Sequence, residues 1–155
     1  MGAEYSANAV QTVNPGETVV FTNAPIPCAR GFVRHRDDSG NFLLSGWVPQ
    51  RCGCNCRRPN ATYMVDFGAN IAIPTGGTVE PISVAITLDG ATLPSTNMIV
   101  TPAAVEEFNN VSRATHVQIF RGCCETLAIR NTSTQPILVQ NANIVFDRSD
   151  LNVTY

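Results

Sequence analysis

Three cysteines occupy alternate positions in RCGCNCRRP, residues 51–59, with arginines on both sides. Three more lie at Cys28 and at the adjacent pair Cys123 and Cys124. Thiols in this number can bridge, hold a metal, act as nucleophiles or simply pack. An even count suits disulfides, each contributing roughly 2–4 kcal/mol when it closes a long loop. Bonds within Cys52–Gly53–Cys54 or across Cys123–Cys124 would be strained, so the expected links run between loops. A structural zinc on Cys52, Cys54, Cys56 and Cys28 is the second reading; such sites favour wider ligand spacing than CGCNC offers. Reduced thiols packed as small hydrophobes are the third. The disulfide reading leads, with Cys28, Cys52, Cys54, Cys56, Cys123 and Cys124 as its candidates, and it suits a setting outside the cell.

Catalysis by these thiols needs a base, and His35 and His116 are the chain's two histidines. No Cys-x-x-Cys redox motif occurs. Asp37 with Asp38 reads as a hairpin tip and Glu106 with Glu107 as a loop or short helical turn, solvated pairs rather than a glycosidase dyad or a calcium site. TGG at 75–77 and RGCC at 121–124 join strands to strands, so neither is a phosphate-binding loop. Sequons at Asn60, Asn110, Asn131 and Asn152 are expected by chance in a chain rich in Asn and Thr. The expectation is therefore no enzyme, no cofactor and no resident metal.

The chain is long enough for one domain with a sizeable core. No apolar stretch approaches the ~20 residues that span a bilayer. The opening MGAEYSANAVQTV has neither the basic region nor the apolar run of a secretory signal, and its loose fit to a myristoylation pattern reads as accidental. Charged residues make up 14% of the chain, against about 25% in a typical soluble domain, and every one of the ten basic residues is arginine. A surface so short of charge suggests cover by other subunits, or simply a β surface rich in Thr and Asn. Residues 30–58 hold six arginines against Asp37 and Asp38, a local +4 that leaves −6 for the rest of a chain whose total is −2. With no lysine and few aromatics nearby, that patch reads as a solvated or intersubunit face, not a nucleic-acid site.

The elements that must position these residues are short β runs punctuated by turns. NPG at 14–16 turns into ETVVFT; GFVRHR and NFLLSGW flank DDSG as a hairpin; ATYMVDFGANIAI runs long and ends at PTGG. ISVAITL meets DG at 89–90, the strongest hairpin signal, and NMIVT returns. ATHVQIF ends at RGCC, ETLAIRN leaves it, and STQP turns the chain into ILVQNANIVF. Only PAAVEEFNNVS, 102–112, has a helical look. About nine strands with no helical crossovers predict an all-β antiparallel jelly-roll sandwich over 13–155, with residues 1–12 as an N-terminal arm that packs on a neighbour, on a larger particle or on the domain itself. Strand alternation brings the loops at 52–56, 89–90 and 121–124, together with Cys28, to one pole. It sets His35 and His116 away from them.

FLLSG, YMVDFGANIAIPTGGTVEPISVAITLDGATLP, ATHVQIFRGC, TLAIRN and VQNANIVF follow one another as in the jelly roll of the tumour-necrosis-factor and complement globular-head superfamily. The chain resembles most its bacterial branch, found at the tips of collagen-like spore-surface glycoproteins and in some phage fibre and decoration proteins. No Gly-X-Y tract precedes the domain here, and the cysteine-rich insertion is not a general feature of that family. The resemblance implies a homotrimer of wedge-shaped subunits with a role in recognition or display. The expected function is a structural component of a phage virion or a bacterial spore or cell surface, attached to a capsid or surface layer, without nucleic acid or membrane as partner. Phe67, Phe108, Phe120 and Phe146 are candidates for core or threefold packing. The alternative is a receptor- or carbohydrate-binding adhesin whose exposed aromatics, such as Trp47 or Tyr63, line a pocket.

Overall fold

The computed structural model describes residues 2–28, 31–36, 38–48 and 60–148, with the backbone alone for Cys123. Twelve strands lie within these residues: β1 (Gly2–Ala7), β2 (Gln11–Val13), β3 (Asn23–Ile26), β4 (Val33–His35), β5 (Phe42–Gly46), β6 (Asn60–Ala72), β7 (Ile82–Leu88), β8 (Ala91–Thr92), β9 (Met98–Val100), β10 (Asn109–Phe120), β11 (Gly122–Asn131) and β12 (Ile137–Arg148). They form two antiparallel sheets. One runs β10-β6-β12-β1-β3, with β2 also on β12; the other runs β4-β5-β11-β7-β8, with β9 also on β7. The single helical element among the described residues is one 3₁₀ turn at Pro94–Thr96. No helix among the described residues is long and apolar enough to cross a membrane.

Period-two patterning explains the long strands. In β6, Ala61, Tyr63, Val65, Phe67, Ala69 and Ile71 are buried, while the residues between them face outward. In β12 the parity changes: Ile137 and Val139 are buried, then Ala142, Ile144 and Phe146. A bulge between Gln140 and Asn143 causes the change, with Asn141 at φ 52, a left-handed conformation asparagine tolerates. The Asp89–Gly90 turn has φ 49 and 81, the two positive values that a two-residue hairpin matched to strand twist requires, and it joins Leu88 to Ala91.

Between the sheets, Phe42 is the hub of an aromatic cluster. Its ring lies 4.6 Å from His35, 5.0 Å from Tyr5, 5.0 Å from Phe146 and 5.2 Å from Phe21. Phe67 and Phe146 are core residues.

Several expectations need correction. The strand count rises from nine to twelve: β1, β2, β3 and β8 are added, and ETVVFT drops out. Residues 2–7 pair with Asp147–Ala142 along their whole length, and 11–13 pair with Ile137–Val139. A boundary at residue 13 therefore cuts through a sheet, and the opening is no separate arm. ETVVFT makes isolated bridges, Thr18 to Arg130 of β11 and Phe21 to Ser39 between β4 and β5, instead of a strand. Residues 102–108 are loop and 109–112 open β10, so no helix forms there. Cys123 and Cys124 lie within β11 and not in the preceding turn.

Candidate interaction face and thiol-rich pole

Strand register defines one pole. Gly2 pairs with Asp147, Phe120 with Asn60 and Gly122 with Gly46, so both ends of the described chain meet there. Val48 and Asn60, which flank the segment carrying Cys52, Cys54 and Cys56, belong to the same end; those three cysteines lie outside the described residues. Cys28 faces a small recess there with Gly2, Ala3, Phe32, Val33, Tyr63, Phe146 and Arg148. It is a half-buried free thiol, and no disulfide is found among the described residues. A cysteine packed against Phe32 and Val33 in this way behaves as a small hydrophobe. Cys124 is half-buried in β11. Among the described residues no cluster of His, Cys, Asp or Glu is arranged to hold a metal ion. Next to Cys28, burial pushes the Tyr5 phenol above its ordinary pKa, while a hydrogen bond from the Cys28 backbone pulls it back.

Arg148, absent from every sequence-based expectation, is 1% exposed and occupies an inward position of β12. Its guanidinium carbon lies 4.9 Å from the Phe32 ring centre and 5.1 Å from that of Tyr63, and Nη2 donates to the Trp47 carbonyl at 2.7 Å. Trp47 in turn stacks on Phe32, with centroids 5.9 Å apart. The Tyr63 hydroxyl donates to the Ser45 carbonyl at 2.6 Å, with the Phe32 carbonyl 3.1 Å away. These contacts tie β5, β6 and β12 together beneath the pole. Tyr63 is thus fully buried and offers a ligand no exposed ring, whereas Trp47 is 53% exposed. Tyr63→Phe should cost about 1–2 kcal/mol through the lost buried hydrogen bond, read as a lower urea midpoint with unchanged slope.

The titratable groups considered for chemistry have structural duties. His35 bonds through Nε2 to the Ser39 carbonyl at 2.9 Å and stacks on Phe42. His116 sits in the middle of β10 and not at a strand start, facing outward. Glu106 accepts hydrogen bonds from Thr75 Oγ1 (2.9 Å) and the Thr75 N–H (3.2 Å), pinning one loop to another at the opposite pole. Asn131 is buried, with Nδ2 donating to the carbonyls of Val13 and Gln135, so its sequon cannot be modified in the folded chain.

One carboxylate pair escaped sequence reasoning because it joins distant strands. Glu125 has its pKa raised, by burial first and then by the charge of Asp89. Its protonated form is therefore the better accommodated one: the stability it adds is present below its unfolded pKa and is lost as pH rises through the folded value. Glu125→Gln should flatten that loss, so the variant gains thermal stability over wild type at pH 7 and shows no such gain at pH 3.5, by calorimetry.

The outer face of the β10-β6-β12-β1 sheet is open to a partner. Ser112, Ala114, Gly68 and Asn70 are small outward residues near its middle, Asp66 stands exposed among them, and Met64 and Val145 are half exposed. At its pole end Phe120 is 74% exposed, which removes it from the core; Phe108 is half-buried. No family model matches the chain, and no curated protein matches it. Solved structures do. The fold is similar to Eiger TNF from S. frugiperda, with TM-score 0.65 and 12% identity over 96% of this chain and 91% of that one. It is similar to murine APRIL at pH 5.0, with TM-score 0.62 and 10% identity over 96% and 99%. The globular domain of zebrafish complement 1qA protein gives TM-score 0.58 and 10% identity over 96% of each chain. The fold is therefore that of the TNF and complement globular-head jelly rolls. These animal proteins lend no support to a bacterial or phage branch in particular.

Proposed function

We propose that this chain is a non-enzymatic structural and display module that works as a homotrimer, building or decorating the outside of a particle such as a phage virion or a bacterial spore or cell surface. The observation that carries the reading is Phe120, standing 74% exposed at one end of the outer face of the β10-β6-β12-β1 sheet. Leaving such a ring in water forgoes about 1.5–3 kcal/mol that burial would supply, and further copies of the chain provide that burial. The fold supports the same reading through the threefold assembly that the sequence resemblance implies. Antibodies against the purified chain should label intact particles or cells of its source in immunogold microscopy. Labelling confined to broken cells would overturn the display role.

A second reading, a carbohydrate- or receptor-binding module, is favoured by Trp47, a half-exposed indole braced by Phe32. It requires glycan-array or cell-binding signals that disappear in Trp47→Ala.

A further inference from the structure

We infer that the carbohydrate taken at Trp47 is an acidic one: a sugar bearing a carboxylate lies with its apolar C–H face on the exposed indole, while Arg34 holds its charge. This rests on the carbohydrate-binding reading and names the ligand. Trp47 is the chain's one tryptophan and is 53% exposed. The ring is fixed before any ligand arrives. Its backbone N–H donates to Ser45 Oγ at 3.1 Å and its carbonyl accepts from Arg148 at 2.7 Å. Its indole stacks on Phe32, whose carbonyl accepts from the Ser45 N–H at 2.9 Å. A flat aromatic surface held from behind loses little conformational entropy when a ligand lies on it.

An open indole face attracts a cation or the C–H face of a sugar, and local charge decides between them. Residues 30–58, which include both Phe32 and Trp47, hold six arginines against Asp37 and Asp38. Asp38 lies in the turn at the other end of β4 and β5, and Asp89 and Glu125 sit across β5 from Arg34, on the β7–β8 turn and β11. A cationic ligand meets this surplus of like charge, whereas an anionic one is drawn to it. Arg34 is exposed, and among the described residues its guanidinium makes no hydrogen bond or ion pair. Arg130 and Arg148, by contrast, are committed to the carbonyls of Gly90 and Trp47. Arg34 pairs with Leu43, which shares the outward side of β5 with Ser45, the residue that fixes Trp47. It lies two residues along the chain from Phe32, about 7 Å at strand spacing, so a carboxylate on a sugar stacked over Trp47 comes within its reach. The paired donors of a guanidinium match the two oxygens of a carboxylate.

The probes are oligomers of galacturonate, mannuronate and glucuronate, each as the free acid and as its methyl ester, which keeps the sugar and removes the charge. Because the full chain has one tryptophan, a change in its fluorescence on titration reports seating at Trp47 itself. At least one free acid should bind, with its ester roughly tenfold weaker or more. Arg34→Ser should weaken the acid by the same factor and leave the ester unchanged, and calorimetry should show Trp47→Ala weakening both. Arg34 is exposed, so circular dichroism of Arg34→Ser should match wild type. If Trp47→Ala fails to fold, the acid–ester comparison on the wild type carries the test without it. Esters that bind as tightly as acids, or an Arg34→Ser chain that keeps the acid's affinity, overturn the acidic ligand while sparing the carbohydrate reading. A Trp47-dependent signal from neutral glycans alone does the same. No bound glycan of any kind overturns both. Acids whose binding survives Trp47→Ala, with single-stranded DNA bound as tightly, would mark a plain arginine patch and also overturn the proposal.

Discussion

Phe42→Ala should lower the unfolding free energy by about 3–5 kcal/mol, seen as a fall in urea midpoint at unchanged slope. The size follows from position. Phe42 is completely buried and touches aromatic partners from both sheets: His35 from its own, Tyr5 and Phe146 from the other, and Phe21 from the segment between β2 and β3. Removing the ring opens a cavity that no neighbour can fill without leaving its own sheet. Against a total stability of about 5–15 kcal/mol, such a loss brings the subunit close to unfolding. Phe42→Leu keeps most of the volume and should lose well under half as much. If alanine cost less than about 1 kcal/mol, the two sheets would not be joined through this cluster.

Phe120→Asp should have the opposite signature: little effect on the fold and a large one on assembly. The ring is mostly in water within one subunit, so its replacement removes few contacts there. At a subunit contact it would be an aromatic anchor. Truncating such an anchor typically costs about 2–4 kcal/mol, or roughly 30- to 700-fold in the affinity of each contact. Burying a carboxylate in its place adds to that cost. Sedimentation should show monomers at concentrations where the wild type is assembled, with a circular dichroism spectrum that does not change. An assembled Phe120→Asp would remove this residue from the interface.

The contrast between Phe42 and Phe120 shows what the sequence makes legible. ISVAITL reads as a strand from its β-branched run ending at Asp89–Gly90, and the structure has it at Ile82–Leu88, buried without a break to Thr87. NATYMVDFGANIA is legible by its period-two alternation, and ILVQNANIVF by its apolar, β-branched composition despite the change of parity within it. The opening GAEYSA is not, because its inward residues are Ala3, Tyr5 and Ala7, two of them too small to give an apolar signal without β12 beside them. ETVVFT has a strand's composition yet bonds only at isolated points, to Arg130 of β11 and to Ser39 between β4 and β5. Phe67, Phe120 and Phe146 look alike as letters; only the parity of their strands sends two inward and one out. Arg148 was hidden by its chemistry. An arginine at a strand end reads as solvent-facing, and here two aromatic rings and a carbonyl hold it inside. The pole shared by Cys28 and Cys124 follows from strand direction alone, which alternation of elements supplies.

The account depends on identical subunits covering one another's outer sheet face. Native mass spectrometry of the purified full chain, at micromolar concentration and moderate salt, asks for this directly. The prediction is one dominant species of three subunits that persists when reductant is added. A single subunit at all concentrations would contradict it.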